Sequence, residues 1–269
     1  MTTRTGGVSV APWESLNLGV HVGDNPSSVM ENLARVRKEG ALPAEPAWLE
    51  QVHGTSVVEL DAGNIPRIAV TDEHILHSPR PRADAAFTRR TGIVCAIQVA
   101  DCMPVLFSSR DGAVVGAAHA GWRGLAGGVL GATIAAMGAP ASDLIAWLGP
   151  TISAKHFEVG EDVLTAFLDT SPESEREQVR AAFKPIGSAA KVSHSGANAQ
   201  PSASPATTGG KWLCDLYALA RLRLARVGVT EISGGRWCTY EDAQQFYSYR
   251  RDGQTGRMAA LIWRTGDSR

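Results

Sequence analysis

Two apolar rhythms organise the chain. Runs that are apolar at nearly every position, 92–99, 105–107, 113–118, 144–148 and 258–263, read as strands. The run 92–99 is so continuous that both of its faces should be covered. Residues 83–88 make a further strand, and 47–53 another, with 55–60 as its expected partner. Between these, apolar residues recur at helical spacing. Val29, Met30, Leu33 and Val36 share one face after Asn25 and Pro26, which suit an N-cap and a first helical turn, and Gly40 stops the run. Leu125, Val129, Ile134 and Met137 mark a second helix. A third is expected around Val163, Leu164, Ala166 and Phe167, with Glu158 and Glu161 balancing its start. A long fourth helix is expected over 212–227, with Cys214 on or near its buried side.

Glycine modifies the second helix. Gly127, Gly128 and Gly131 interrupt it, each costing about 1 kcal/mol relative to alanine. Such a cost persists where another backbone packs closely or a ligand approaches, and packing is the expected reason here. Residues 1–23 are rich in Gly and Ser and read as loops around short strands, either a loose terminus or a pocket wall containing Arg4, Asn17 and His21. From 187 to 210 the chain turns Ser-, Ala-, Pro- and Thr-rich, as a flexible surface insertion would be, and His194 inside it is set aside. His74 and His77 fall in a Pro- and Arg-containing loop and are not read as ligands.

At 269 residues the chain can bury one full core, and a single domain over 1–269 is expected. A formal net charge of −1 without any basic block gives no nucleic-acid footprint and no polybasic membrane anchor. No apolar run reaches the ~18 residues of a membrane span, and the first residues lack the charged-then-apolar layout of a secretory signal. A soluble, cytoplasmic protein is expected. The four cysteines, Cys95, Cys102, Cys214 and Cys238, form no CxxC pair, which argues against a disulfide framework or a zinc ribbon. Cys95, inside the most apolar strand, reads as an inert core thiol.

One stretch carries candidate chemistry. The strands 105–107 and 113–118 flank Ser109-Arg110-Asp111-Gly112 and form a hairpin candidate. With its centre between Arg110 and Asp111, Cys102 and His119 oppose each other directly, with Cβ atoms roughly 4.5–5.5 Å apart. A thiolate and an imidazole so placed can share a metal ion or a proton; equally, they can be a buried core thiol and a hydrogen-bonded strand end. Asp101 adds a carboxylate beside the thiol, and Gly121-Trp122-Arg123-Gly124 leads into a helix whose first N–H groups could hold an anion. His53 ends a strand, where a lone histidine is commonly a surface or core-edge residue. Arg250 and Arg251 suit either an anion or structural ion pairs.

In sequence the chain resembles the YfiH family, also called the laccase-domain or multicopper-polyphenol-oxidase-type family, whose members are described as purine nucleoside phosphorylases. The resemblance runs through Gly6-Gly7-Val8-Ser9, Ser15-Leu16-Asn17-Leu18-Gly19, Gln51-Val52-His53-Gly54, Ala100-Asp101-Cys102, His119-Ala120-Gly121-Trp122-Arg123-Gly124, Trp147-Leu148-Gly149-Pro150, Phe157-Glu158-Val159-Gly160 and Ser248-Tyr249-Arg250-Arg251-Asp252-Gly253. It implies an α+β fold (α/β mixed), mixed β-sheets flanked by helices, related to the cytotoxic-necrotizing-factor fold. It also implies a metal site at His53, Cys102 and His119. Two imidazoles and a thiolate suit Zn2+, with copper possible, and three protein ligands leave a fourth position open. The implied activity is phosphorolysis of adenosine, inosine and methylthioadenosine together with deamination of adenosine. Catalytic candidates are then Cys102, His119, Asp101 and Arg123; for substrate or phosphate, Arg123, Arg4 and Asn17 are the candidates.

Other readings compete. Cys102 could act as a nucleophile with His119 as its base, without metal, on an amide such as one in a peptidoglycan precursor. A polyphenol oxidase is disfavoured, because laccases set histidines in H-x-H pairs and none of the seven histidines here is so paired. A non-catalytic nucleotide-binding module is the third. Expected partners are purine nucleosides and phosphate, without nucleic acid or membrane, in a monomer or homodimer.

Overall fold

The apolar runs pair into three sheets in a computed structural model that describes residues 1–61, 63, 79–186 and 210–266. In chain order the elements begin with α1 (Pro26–Glu39), β1 (Val57–Glu59), β2 (Ala85–Thr88), β3 (Val94–Val99), β4 (Met103–Ser109), β5 (Val115–Ala120), α2 (Trp122–Gly127), α3 (Val129–Met137) and β6 (Leu144–Leu148). They continue with β7 (Glu158–Val159), α4 (Glu161–Asp169), α5 (Arg176–Ala181), β8 (Phe183–Ile186), β9 (Lys211–Cys214), α6 (Leu216–Arg226), β10 (Glu231–Gly234), α7 (Tyr249–Asp252) and β11 (Met258–Trp263). His74, His77, His194 and residues 187–209 of the expected insertion lie outside the described residues.

A six-stranded sheet in the order β1-β2-β5-β4-β6-β10 forms the centre, parallel at its two outer pairs and antiparallel within. On one face Phe87, Val105 and Phe107 pack with Leu125, Leu130, Ile134 and Leu219 of α2, α3 and α6. On the other, Ala86 and Ala117 meet Cys95, Ile97 and Val99 of β3, which pairs with β11 as an antiparallel ribbon. The opposite side of that ribbon, Val94, Ala96 and Ala259, packs on Val29, Leu33 and Val36 of α1. The strand read as covered on both faces is buried at all six positions, because it lies between the central sheet and α1. Helix α1 starts as its sequence suggests, with Asn25 accepting from the N–H groups of Ser27 and Ser28.

Local differences have local causes. Residues 47–53 do not pair with 55–60: Ala47 and Glu50 make single bridges to Cys95 and Arg82, while β1 pairs in parallel with β2. The left-handed backbone of His53, φ 60°, turns the chain between these segments. The second helix is two helices, because Gly128 adopts φ 97° and ends α2. A Cβ at Gly127 would stand 3.1 Å from the Thr55 side chain, so packing accounts for that glycine, whereas at Gly131 the nearest atom, of Val227, lies at an ordinary contact distance of 3.6 Å. The fourth helix starts at Leu216, where Asp215 caps it, and Lys211–Cys214 is a strand instead. No strand occurs within residues 1–23. Among the described residues no helix is long and apolar enough to cross a membrane.

Candidate active site

The hairpin forms, with its centre displaced. Gly112 donates to Ser109 O to close the turn, and the register sets Pro104 opposite His119 and Met103 opposite Ala120. Cys102 therefore stands two residues from the position directly facing His119. Because strand side chains alternate, a displacement of two keeps them on one face, where a slip of one would have separated them.

Asp84 assembles the rest. It is fully buried just before β2, and its carboxylate accepts from the N–H groups of Val52 (3.2 Å), His53 (2.8 Å) and Gly54 (2.7 Å). The same group accepts from Nδ1 of His119 at 2.9 Å, and the Asp84 carbonyl accepts from the His119 N–H at 2.7 Å. One carboxylate thus fixes the loop that carries one imidazole and the orientation of the other, leaving Nε2 of His119 free to face the site. Burial opposes its charge, yet the hydrogen bonds from His119 and the Gly54 N–H hold its carboxyl below the usual range. The sequence reading missed Asp84. Its signal was a lone carboxylate in an apolar strand, which has to find several donors if buried.

His53, Cys102 and His119 converge. Their ligand atoms all lie within 4.8 Å of one another, with Cys102 Sγ 3.8 Å from His53 Nε2. Ligand atoms around a tetrahedral cation, at about 2.0–2.3 Å from it, are separated by roughly 3.3–3.6 Å. Small side-chain rotations would bring these three to that spacing, and the His/His/Cys donor set fits zinc or copper. Burial of Cys102 disfavours its thiolate, but His119, and then His53, outweigh it and bring the thiol down to about 6. Burial likewise disfavours charge on His119, but Cys102 and Asp84 raise it to about 9.

Two glycines keep this corner tight. A Cβ at Gly121 would stand 2.8 Å from Cys102 Sγ and 3.2 Å from His53 Cδ2, and one at Gly124 would stand 2.9 Å from Gly54 O. The glycines of the stretch after His119 are thus explained by close approach to the histidine loop and the thiol.

The three ligand candidates open on a cavity of about 770 Å³ whose wall mixes Ile152, Phe157 and Tyr249 with Arg80, Arg250 and Arg257, the Arg250 guanidinium lying over the Phe157 ring at 5.2 Å and that of Arg257 over the Tyr249 ring at 5.9 Å. Asp101 also lines it, but its carboxylate is taken: Oδ1 accepts from Thr239 Oγ1 at 2.6 Å and Oδ2 from the Arg250 N–H at 2.7 Å. With φ 85°, Asp101 turns the chain so that Cys102 and Arg250 are tied to one residue. Asp101, a catalytic candidate in the sequence, thus stands as an anchor of the turn.

The residues expected at phosphate stand elsewhere. Arg123 is exposed on the six-residue α2, with its guanidinium over the Trp122 ring at 4.3 Å. Arg4 donates to the carbonyls of Glu14 and Ala243 and covers the Tyr247 ring. Asn17 is fully buried and accepts from the N–H groups of Gly19 and Arg257. None of the three lines the cavity, whereas His21 does. Of the paired arginines, Arg251 is structural, bonded to Asp252 and to the carbonyls of Thr239, Tyr240 and Phe246, while Arg250 faces the cavity.

Comparison with known proteins agrees across the chain. The family model described as multi-copper polyphenol oxidoreductase laccase matches residues 1–265. The chain is 44% identical over 263 residues to "Purine nucleoside phosphorylase PA4543" of Pseudomonas aeruginosa, covering 98% of this chain and 91% of that protein. It is 45% identical over 262 residues to "Purine nucleoside phosphorylase YfiH" of Escherichia coli, covering 97% and 91%. Among solved structures, the Neisseria meningitidis protein NMB0706, of family DUF152, superposes with a TM-score of 0.79 at 46% identity, over 99% of this chain and 93% of that one.

Proposed function

The chain belongs to the multi-copper polyphenol oxidoreductase laccase family, that of the YfiH proteins, and on that premise we propose that it is a metal-dependent purine nucleoside phosphorylase that also deaminates adenosine. The observation that carries the reading is the convergence of His53, Cys102 and His119 on a cavity of about 770 Å³ lined by both apolar and cationic residues. A cavity of that size accommodates a nucleoside and an oxyanion together.

In phosphorolysis the bond between C1′ and the base nitrogen breaks, a bond from C1′ to a phosphate oxygen forms, and the purine leaves with a proton. In deamination, water replaces the C6 amino group and ammonia departs. A divalent cation, zinc by the donor set, would supply Lewis acidity to either reaction. The chain's own contributions are distinct. Asp84 keeps His119 in the tautomer that presents Nε2. Tyr249, exposed at the cavity, offers an aromatic surface to a purine, while the buried Phe157 ring carries the Arg250 guanidinium. Asp101 holds the ligand-bearing turn against Arg250 through hydrogen bonds. A cytoplasmic location suits these substrates.

Incubating metal-analysed protein with adenosine, with and without phosphate, tests the proposal by its products. Adenine formed only with phosphate and inosine formed in either case are expected. Neither product from zinc-loaded protein would overturn it. One observation favours a second reading: the Cys102 thiolate, the His119 imidazolium and Asp84 also form the chain of a cysteine nucleophile and its oriented base. That reading requires activity in metal-stripped protein and its loss on alkylation of Cys102.

A further inference from the structure

Three arginines, Arg80, Arg250 and Arg257, gather in the wall of one cavity. Arg89, Arg110, Arg226 and Arg251 pair with Glu59, Glu231, Glu175 and Asp252. Among the described residues Arg80, Arg250 and Arg257 have no carboxylate within ion-pair distance. Among the described residues two carboxylates line the cavity, Glu50, which pairs with Arg82 at 3.7 Å, and Asp101, whose oxygens are held by Thr239 and the Arg250 N–H. Arg257 and Arg80 are also close enough to His21 to oppose its protonation, adding to its burial. Like charges gathered in a partly desolvated wall call for an anion.

Arg257 is the most constructed of these groups. Its backbone N–H donates to the buried Asn17 side chain at 2.9 Å, and Nη1 donates to the carbonyls of Thr255 and Gly256 at 3.1 and 3.0 Å. Its stem occupies the space that a side chain at Gly19 would take, where a Cβ would stand 2.8 Å from Arg257 Cγ. The guanidinium is thereby held with Nε and Nη2 left for a ligand, in the planar form that suits two oxygens of one oxyanion.

We propose that Arg257, with Arg80 and His21, forms a phosphate-binding subsite in the wall of the cavity that also holds His53, Cys102 and His119. The subsite deepens the phosphorylase reading and rests on it: orthophosphate held here is the attacking group, and the nucleoside lies between it and the ligand cluster. Asn17 and Gly19 serve the subsite from behind, as supports for Arg257. A phosphate group can arrive free or as the 5′-phosphate of a nucleotide, and the test separates these sources.

The test uses the zinc-loaded full chain, Arg257→Gln and Arg80→Gln. Arg80 makes no hydrogen bond within the described residues, so its variant keeps the fold even if Arg257→Gln does not; metal content and melting temperature are compared in both. Loss of a charged hydrogen-bond donor predicts that the KM for phosphate rises roughly 10- to 100-fold, and that calorimetric binding of inorganic phosphate weakens equally. An unchanged phosphate KM with weaker inhibition by adenosine 5′-monophosphate would assign the subsite to nucleotides and overturn the co-substrate role. No change in either in both variants would overturn the subsite. If wild-type protein yields no phosphate-dependent product, the phosphorylase reading fails by itself; calorimetry with inorganic phosphate still decides whether Arg257 and Arg80 bind it.

Discussion

Among the described residues a histidine and a cysteine meet a third group in two clusters, and only one of them is built for ligation. Around Cys102, His53 and His119 present ring nitrogens, and the carboxylate that orients them, Asp84, stands behind them. Around Cys238, the ligating atoms of His156 and Glu241 also lie within 4.8 Å. There, however, His156 Nε2 and Lys155 Nζ both bond the same oxygen of Glu241 at 3.1 Å, the His156 ring stacks on Tyr240, and Cys238 Sγ accepts from the Ser153 N–H. The second cluster is satisfied as it stands. Proximity of ligand-type residues is common; what distinguishes the first is that its acceptors are oriented from outside and left open toward a cavity.

The comparison breaks most visibly at the thiol. Cys102→Ala is expected to reduce bound zinc from about one equivalent to near none and to abolish both reactions, since two imidazoles alone make a poor zinc site. Metal analysis and product separation measure this together. Full activity in the variant would sink the metal reading. Next in size is the orienting carboxylate. Asp84→Asn keeps the shape but removes the charge, and is expected to cost about 10- to 100-fold in zinc affinity, as loss of such outer partners does; competition with a chromogenic chelator reads it.

A pH measurement sharpens the contrast without mutation. In metal-stripped protein Cys102 sits at about 6, so its alkylation should be half-maximal near that pH, while Cys95, which burial pushes up to about 12, stays inert. His119→Ala removes the partner that offsets burial, and the Cys102 midpoint should move upward. Stability should respond little over the same range. Between the two midpoints the folded pair carries its single proton on His119, raised to about 9, and the unfolded pair carries one on the thiol, so proton uptake nearly cancels. A steep stability change between pH 7 and 8 traced to this pair would contradict the thiolate–imidazolium assignment.

How much of this was legible in the sequence follows from what fixes each feature. The strand at 258–263 and the helix after Asn25-Pro26 are set by local pattern and appear where it puts them. The pairing of Cys102 with His119 depended on a turn length, and the turn centre fell one residue later than expected. The shared face survived because the register moved by an even number. Arg257 could not be read, since what singles it out is its place in the cavity wall and its support by Asn17, and both arise only in three dimensions. Arg123, beside the glycines, looked placed for an anion; packing against Gly54 O accounts for Gly124, and the arginine faces outward.

The smallest expected effect bears on the second cluster and decides whether the comparison is real. Cys238→Ala removes an acceptor from the Ser153 N–H and leaves it without this partner in a half-buried setting, which costs on the order of 1–3 kcal/mol. Thr239 follows immediately and holds Asp101, so a little of that disturbance can reach the cavity. The expectation is a melting temperature lower by a few degrees, activity reduced less than about threefold, and zinc content equal to wild type. The metal measurement carries the discrimination because a purely structural thiol cannot change it. If wild-type protein instead holds two equivalents and the variant one, Glu241 releases Lys155 and His156 to take a cation, and an open, outwardly oriented acceptor set is no longer what separates the two clusters.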